Sequence, residues 1–479
     1  MQMTILHNHP LERPGRALQL FNERRKTMKN NIPFSQVLAI GLMLFAMFLG
    51  AGNVIFAPMV GQQAGSNIWV AMSGFLITGV GLVLLAIVAL TRGGGTVEKL
   101  AQRVHPLFAI IFSVLLFLTL GPIYVIPRTT SVVYEIAINP LVQAKSNTSL
   151  YLLIFSLLFI GLTILLSWNT TKFVDRLGKM ITPIFVILLI TLIVKSFITP
   201  MGMIGQPQDD YVTGTFLTGF TQGYYTMDVL AAFVFGGIFI KSISSLGITS
   251  EKAVSALFIK AGIITMIGLV ALQLSMAWIG ASSVEAIGFK NNGGEVLAQS
   301  AIALFGKSGI YIIGTVIFLT GITTNVACLA AVSEYFEKII PSVSYKKWLI
   351  VFSIVGLVIT NFGLNTILTL ASPILLLLYP LAIALIALVF TNNLFNGHRS
   401  VYVGTVIGTG LVAVLDALKD ANIAPEAINH FFGFIPLFEN GAGWIITGLI
   451  GFFIGLVAAK SRKEPAAIIN MSGQEIRKV

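Results

Sequence analysis

Charge is what this sequence has least of. Only 10% of its 479 residues are Asp, Glu, Lys or Arg, while 56% are hydrophobic. Soluble domains carry roughly 25% charged residues. The deficit leaves too little polar surface to face water, so the chain is read as one membrane-embedded unit. Cysteine is nearly missing too: Cys328 stands alone in an apolar run, which removes any intrachain disulfide and any cysteine metal cluster. The five histidines (His7, His9, His105, His398, His430) fall in tails and loops without zinc-ligand spacing. No Gly-rich loop of the P-loop type occurs, so the chain is not expected to use ATP by itself. No apolar core with a small-residue cleavage site opens the chain. Residues 1–33 are polar and basic (Arg13, Arg16, Arg24, Arg25, Lys26, Lys29), which predicts a cytoplasmic tail rather than a signal peptide. Met28, just before Lys29, is an alternative start to Met1.

What the sequence has is long apolar runs. A bilayer core needs about 20 apolar residues per helix. Twelve spans are expected, near 34–60, 68–90, 107–134, 150–167, 181–198, 216–240, 257–280, 302–333, 347–363, 366–390, 401–418 and 442–459. The net charge of +11 points to the lipid bilayer rather than to nucleic acid, because the basic residues gather in alternate loops. With the N-terminus inside, 24 Lys and Arg fall on the inner side and six on the outer, so both ends are expected in the cytoplasm. Residues 460–479 are then an inner tail.

Several spans are interrupted. Span 1 carries Gly50-Ala51-Gly52-Asn53 at mid-depth and then Pro58. Span 3 carries Gly121-Pro122 and Pro127, and span 10 carries Ser372-Pro373 and Pro380. Span 6 carries Gly223-Tyr224-Tyr225-Thr226-Met227-Asp228 near its centre. Freed backbone groups are costly in hydrocarbon, so such breaks survive only where protein or a cavity covers them. A single break is most often a packing kink. Breaks at the centres of two spans five apart, running in opposite directions, form the pattern of an inverted five-helix repeat with a site between them. The halves would be 34–198 and 199–390, with 391–459 as two appended helices.

Ionisable residues at mid-membrane are candidates for function. Asp228 is the foremost, beside the span 6 break, either satisfied by a neighbouring helix or facing a cation. Arg128 and Glu135, seven residues apart at the outer end of span 3, share a face and read as a structural ion pair or interface anchor. In span 8, the hydroxyls of Thr320-Gly321-Ile322-Thr323-Thr324-Asn325 either back-bond to their own helix or offer hard oxygen ligands to a dehydrated Na⁺. Carbonyls at the end of the half-helix before Gly50 suit a cation. Amides opening the next half-helix, around Gly52-Asn53, suit a carboxylate. With Phe45, Phe48, Ile55, Phe56, Met227 and Leu230 around it, such a site fits an aliphatic zwitterion better than a sugar or nucleoside.

The run Phe48-Leu49-Gly50-Ala51-Gly52-Asn53-Val54-Ile55-Phe56-Ala57-Pro58, followed by Gly61-Gln62-Gln63-Ala64-Gly65, resembles the first helix of the branched-chain amino acid:cation symporters. These are bacterial system II carriers within the amino acid–polyamine–organocation superfamily, and the resemblance extends from about residue 30 onward. It implies an all-α membrane protein of about twelve helices with a leucine-transporter-like 5+5 inverted repeat and discontinuous helices 1 and 6. The implied activity is Na⁺-coupled import of leucine, isoleucine and valine by alternating access across a bacterial plasma membrane, with no enzyme chemistry and no cofactor beyond the coupling ion. By local similarity to the leucine transporter, the Ala46 and Leu49 carbonyls, the Thr320 carbonyl and the Thr323 and Thr324 hydroxyls would hold Na⁺. The amides of Gly50, Ala51 and Gly52, beside Asn53, would meet the substrate carboxylate, and the Tyr225 and Thr226 carbonyls would receive its ammonium. Asp228 stands where that relative has a hydroxyl residue, so it could bind the ammonium, a second cation or a proton. Proton-coupled transport of small neutral amino acids is the alternative. A channel would show a repeated pore motif or charged ring, and a membrane enzyme a catalytic constellation at depth; neither pattern is present in the sequence.

Overall fold

The computed structural model describes residues 33–142, 147–168, 186–245, 251–462, 467–469 and 475–477. The basic N-terminal tail, the start of span 5 at 181–185 and the Lys172–Lys179 loop lie outside them. The chain is helical through its apolar runs. Span 1 is split into α1 (Phe34–Phe48) and α2 (Ala51–Ala64). Span 2 is α3 (Ile68–Leu76) and α4 (Leu82–Arg92), joined by a π-turn at Ile77–Gly81. Span 3 is α5 (Pro106–Leu118) and α6 (Val125–Ala137), joined by a π-turn at Thr119–Ile123. Spans 4 and 5 are α7 (Thr148–Ser167) and α8 (Val186–Ile198). Span 6 is α9 (Thr215–Gln222), a 3₁₀ turn over Gly223–Thr226, and α10 (Asp228–Ser245). Then come α11 (Glu251–Ile287), α12 (Gly293–Phe305), α13 (Ser308–Ile339), α14 (Tyr345–Thr360), α15 (Leu364–Thr391), α16 (Arg399–Asp420) and α17 (Trp444–Ser461).

Among the described residues, eight helices are long and apolar enough to cross a membrane unaided. These include span 3 across its π-turn and a run, Gly52–Arg92, that joins the second half of span 1 to span 2; the other spans are shorter or split, namely α1, α8, α14 and the two halves of span 6. The expected span 8, 302–333, is corrected at its start. It begins at Ser308, and residues 293–305 form the separate helix α12. Asn292 caps α12 by accepting from the Glu295 amide at 3.0 Å. Gly306, at φ +63°, turns the chain into α13 beside Lys307. A short antiparallel hairpin, Ala467–Ile469 with Glu475–Arg477, adds strands to the C-terminal tail.

Large apolar side chains such as Ile110, Leu158, Ile267 and Val457 are exposed on the outside of the bundle. In lipid that is the stable arrangement, and close approach between helices comes from small residues instead. A methyl group at Gly61 would lie 2.0 Å from the Ala277 carbonyl, and one at Gly280 would lie 1.9 Å from the Pro58 carbonyl. Span 1 is thereby seated on span 7. Gly219 and Gly74 do the same for span 6 on span 2, at 2.0 Å from the Ala71 carbonyl and 2.1 Å from the Phe216 carbonyl. Span 1 on span 7 and span 6 on span 2 are reciprocal pairings, as two inverted halves require. α13 packs along α6, and α16 along α17.

Candidate functional site

The two breaks meet at the centre. Leu49 and Gly50 interrupt span 1, with Gly50 extended (φ −95°, ψ 171°) as the cap of α2. In span 6, Met227 turns left-handed at φ 66°, a conformation that costs a non-glycine residue roughly 1–2 kcal/mol. The turn lets Asp228 open α10, where a carboxylate complements the helix dipole.

A buried polar network joins the halves. Asn53 Nδ2 donates to the Phe48 carbonyl in a short contact and to Asp228 Oδ1 at 3.2 Å. Gln273 Nε2, from α11, donates to Asn53 Oδ1 and so fixes which way the amide faces. Asp228 Oδ2 and Gln273 Oε1 remain buried acceptors without a partner. A buried carboxyl oxygen left without a donor is a place where a cationic group can bind.

Arg128 is the main correction to the sequence reading. It is not an outer helix end paired with Glu135; it is 3% exposed and lies between the two breaks. Its Nη1 donates to the Tyr225 carbonyl at 2.8 Å. Its Cζ stands 4.7 Å from the Tyr124 ring centre and 5.7 Å from that of Phe56. A methyl group at Gly52 would sit 2.8 Å from Nη2 and 3.2 Å from the Thr226 carbonyl. Glu135 instead accepts from Asn139 at 2.8 Å. The reason is length. Span 3 continues to Ala137, so Arg128 is nine residues, about 13 Å, inside its end. The π-turn, with Gly121 at non-helical φ −98° and ψ −118°, redirects α6.

The remaining expected residues divide. Thr324 meets the span 1 break: its hydroxyl would lie 3.7 Å from a methyl group on Gly50. Ala46 and Leu49 end α1 just before that contact. The Thr320 hydroxyl donates to the Val316 carbonyl at 2.8 Å. Thr323 donates to the Thr320 carbonyl at 2.9 Å and to the Leu319 carbonyl at 3.3 Å. Both therefore back-bond to their own helix. The Tyr225 hydroxyl shares a 2.6 Å hydrogen bond with Ser372, and the Thr226 hydroxyl donates to the Gly223 carbonyl at 2.9 Å. Tyr379 accepts from the Val229 amide at 3.3 Å. Gln273, Ser372 and Tyr379 were not anticipated. The visible signal was a lone amide at the middle of span 7 and the Ser-Pro step of span 10.

Comparison with known proteins agrees with this architecture. Residues 34–462 match the family described as "Branched-chain amino acid transport protein". The chain is 41% identical to the branched-chain amino acid permease BraB of Bacillus subtilis, over 90% of this chain and 97% of that protein. It is 36% identical to the branched-chain amino acid transport system 2 carrier protein of Pseudomonas aeruginosa, with 90% and 97% covered. Against the permease BrnQ of Escherichia coli K12 the identity is 31%, again over 90% and 97%. These relatives are named as permeases and carriers, not as enzymes. Among solved structures, the chain is similar to Mhp1, a nucleobase-cation-symport-1 family transporter. The TM-score is 0.57 at 15% identity, covering 91% of this chain and 94% of that one. It is also similar to MhsT in complex with L-phenylalanine, at TM-score 0.54 and 16% identity, with 88% and 98% covered. At such identities the likeness shows the fold alone, which is the leucine-transporter-like one.

Proposed function

The chain belongs to the branched-chain amino acid transport protein family, and on that premise we propose that it is a secondary symporter importing leucine, isoleucine and valine with Na⁺ by alternating access. The observation that carries this reading is the pair of facing breaks, with the unpartnered acceptors Asp228 Oδ2 and Gln273 Oε1 buried beside them. Acceptors without donors call for a cation, and the ammonium of an amino acid is one. The amides of Gly50, Ala51 and Gly52 open a helix whose positive end favours the carboxylate. Phe48, Ile55, Phe56 and Leu230, all buried around the breaks, suit an aliphatic side chain. Spans 1 and 6 would rock against the rest to open the site to each side in turn.

The coupling site is proposed where Thr324 meets the break, with the Ala46 and Leu49 carbonyls at the negative end of α1 and the Thr320 carbonyl and Thr323 hydroxyl on α13. Hard oxygens of this kind suit Na⁺. Thr320 and Thr323 would keep their back-bonds and offer remaining lone pairs. A second reading, proton coupling through Asp228, is favoured by the unpartnered Oδ2. The bacterial relatives and the inner excess of Lys and Arg support a plasma-membrane location with both ends in the cytoplasm.

Uptake of labelled leucine into proteoliposomes separates the readings. An inward Na⁺ gradient should drive accumulation in the wild type, and Thr324→Ala should abolish the Na⁺ dependence. Accumulation driven by a pH gradient alone, and indifferent to Thr324→Ala, would overturn the sodium site in favour of Asp228.

A further inference from the structure

We propose that the Arg128 side chain is the receptor for the substrate carboxylate, reinforcing the backbone amides of α2; the proposal rests on the amino acid transport reading above. Arg128 is 3% exposed, and among the described residues no carboxylate is in direct ion-pair contact with it: the ion pair found there is Lys338 with Glu98, at 3.9 Å, while Asp228 feels the guanidinium charge from across the site. A guanidinium carries five N–H donors in a fixed fork. One, on Nη1, is taken by the Tyr225 carbonyl, while Nε is buried without any acceptor. A brace between α6 and the span 6 break would need only the Nη1 bond. It leaves unexplained a buried positive charge whose remaining donors look for an anion.

The surroundings prepare the group for one. The rings of Tyr124 and Phe56 stand 4.7 and 5.7 Å from Cζ and restrain its plane. Nη2 lies against Gly52, in the first turn of α2, where the lack of a side chain admits it. The N-terminal dipole of that 14-residue helix has the same sign as the guanidinium. Two like charges converge on one place, which is unfavourable until an anion arrives between them. From α10 and α11, Asp228 and Gln273 present acceptors without donors. The centre therefore has a donor pole at Arg128 and Gly52 and an acceptor pole at Asp228. That is the complement of an α-amino acid, whose carboxylate and ammonium are separated by one carbon. Arg128 is then a specificity residue: it admits the free acid and discriminates against the corresponding alcohol or amine. A fork that binds a carboxylate through two parallel bonds is replaced only in part by lysine, a compact point charge.

The test is ligand-induced thermal stabilisation of the purified full-length protein, titrated with leucine and with leucinol, which keeps the ammonium and side chain but lacks the carboxylate. The wild type should prefer leucine strongly. Arg128→Gln should lose leucine affinity by roughly 30-fold or more while leucinol stays near its wild-type value, so the preference collapses. Arg128→Lys should restore part of it. An unchanged leucine-to-leucinol ratio in both variants, or an equal loss of both ligands, overturns the proposal. A wild type that responds to no branched-chain amino acid overturns the transport reading instead. In that case the acid-and-alcohol comparison is made with the α-amino acid that does stabilise the wild type, and the same ratio decides the role of Arg128.

Discussion

Replacing Gly52 by alanine would put a methyl carbon 2.8 Å from Arg128 Nη2 and 3.2 Å from the Thr226 carbonyl oxygen. Ordinary contact begins near 3.4 Å, so the guanidinium would have to retreat by about 0.6 Å. It has little room to do so. Nη1 is held by the Tyr225 carbonyl at 2.8 Å, and the plane is backed by Tyr124. The Thr226 carbonyl belongs to the backbone of the break and yields even less. Overpacking of this kind costs roughly 1–3 kcal/mol. If the strain falls on the bound state, leucine affinity drops roughly 5- to 150-fold. The measurement is the KM of leucine uptake in proteoliposomes for Gly52→Ala beside Gly410→Ala. In the latter, the new methyl group meets only Leu381 Cδ2, at 3.5 Å. Gly410→Ala should match the wild type. At Gly50 the nearest atom is Thr324 Oγ1, at 3.7 Å, so alanine there should be milder than at Gly52. A Gly52→Ala protein with both wild-type KM and wild-type melting temperature would refute the placement of Arg128 against α2, since strain shared by the free state would show in the melting temperature.

Two further outcomes follow from the same geometry. Asp228→Asn keeps an oxygen for Asn53 to donate to but removes the negative charge, so leucine affinity should fall by roughly 30-fold or more; a KM within the error of the wild-type value speaks against an ammonium site there. Gly280→Val inserts a side chain whose first carbon already lies 1.9 Å from the Pro58 carbonyl. The seat of span 1 on span 7 should be lost, and the yield of monodisperse protein in detergent should collapse; normal yield and melting temperature would contradict that seat.

Much of the fold was legible because its signals are local. An apolar run long enough to cross a bilayer is visible in any window of the chain. So are the breaks, since Gly50-Ala51-Gly52-Asn53 and the Gly223–Asp228 segment interrupt such runs at their centres. Asp228 stood out because a carboxylate in hydrocarbon is rare. The start of span 8 was less legible: α12 and α13 are both apolar, and only the short segment Gly306-Lys307, with Gly306 left-handed, divides them. Arg128 was misplaced for a related reason. The apolar run 107–134 shows neither the π-turn at Thr119–Ile123 nor the extension to Ala137, and these set its depth.

The sequence by itself determined that this chain lives in a membrane, where its helices are interrupted, and which family its first helix resembles. These depend on composition and on neighbours within a few residues. Only the tertiary structure decided that Arg128 reaches the Tyr225 carbonyl, that Gln273 orients Asn53, and that Thr324 faces Gly50 while Thr323 turns back on its own helix. Apart from the local bond of Thr323, those contacts join segments from 97 to more than 200 residues apart. Their formation depends on how closely glycine lets two helices approach and on how a kink aims a side chain, and neither quantity is written in any single stretch of sequence.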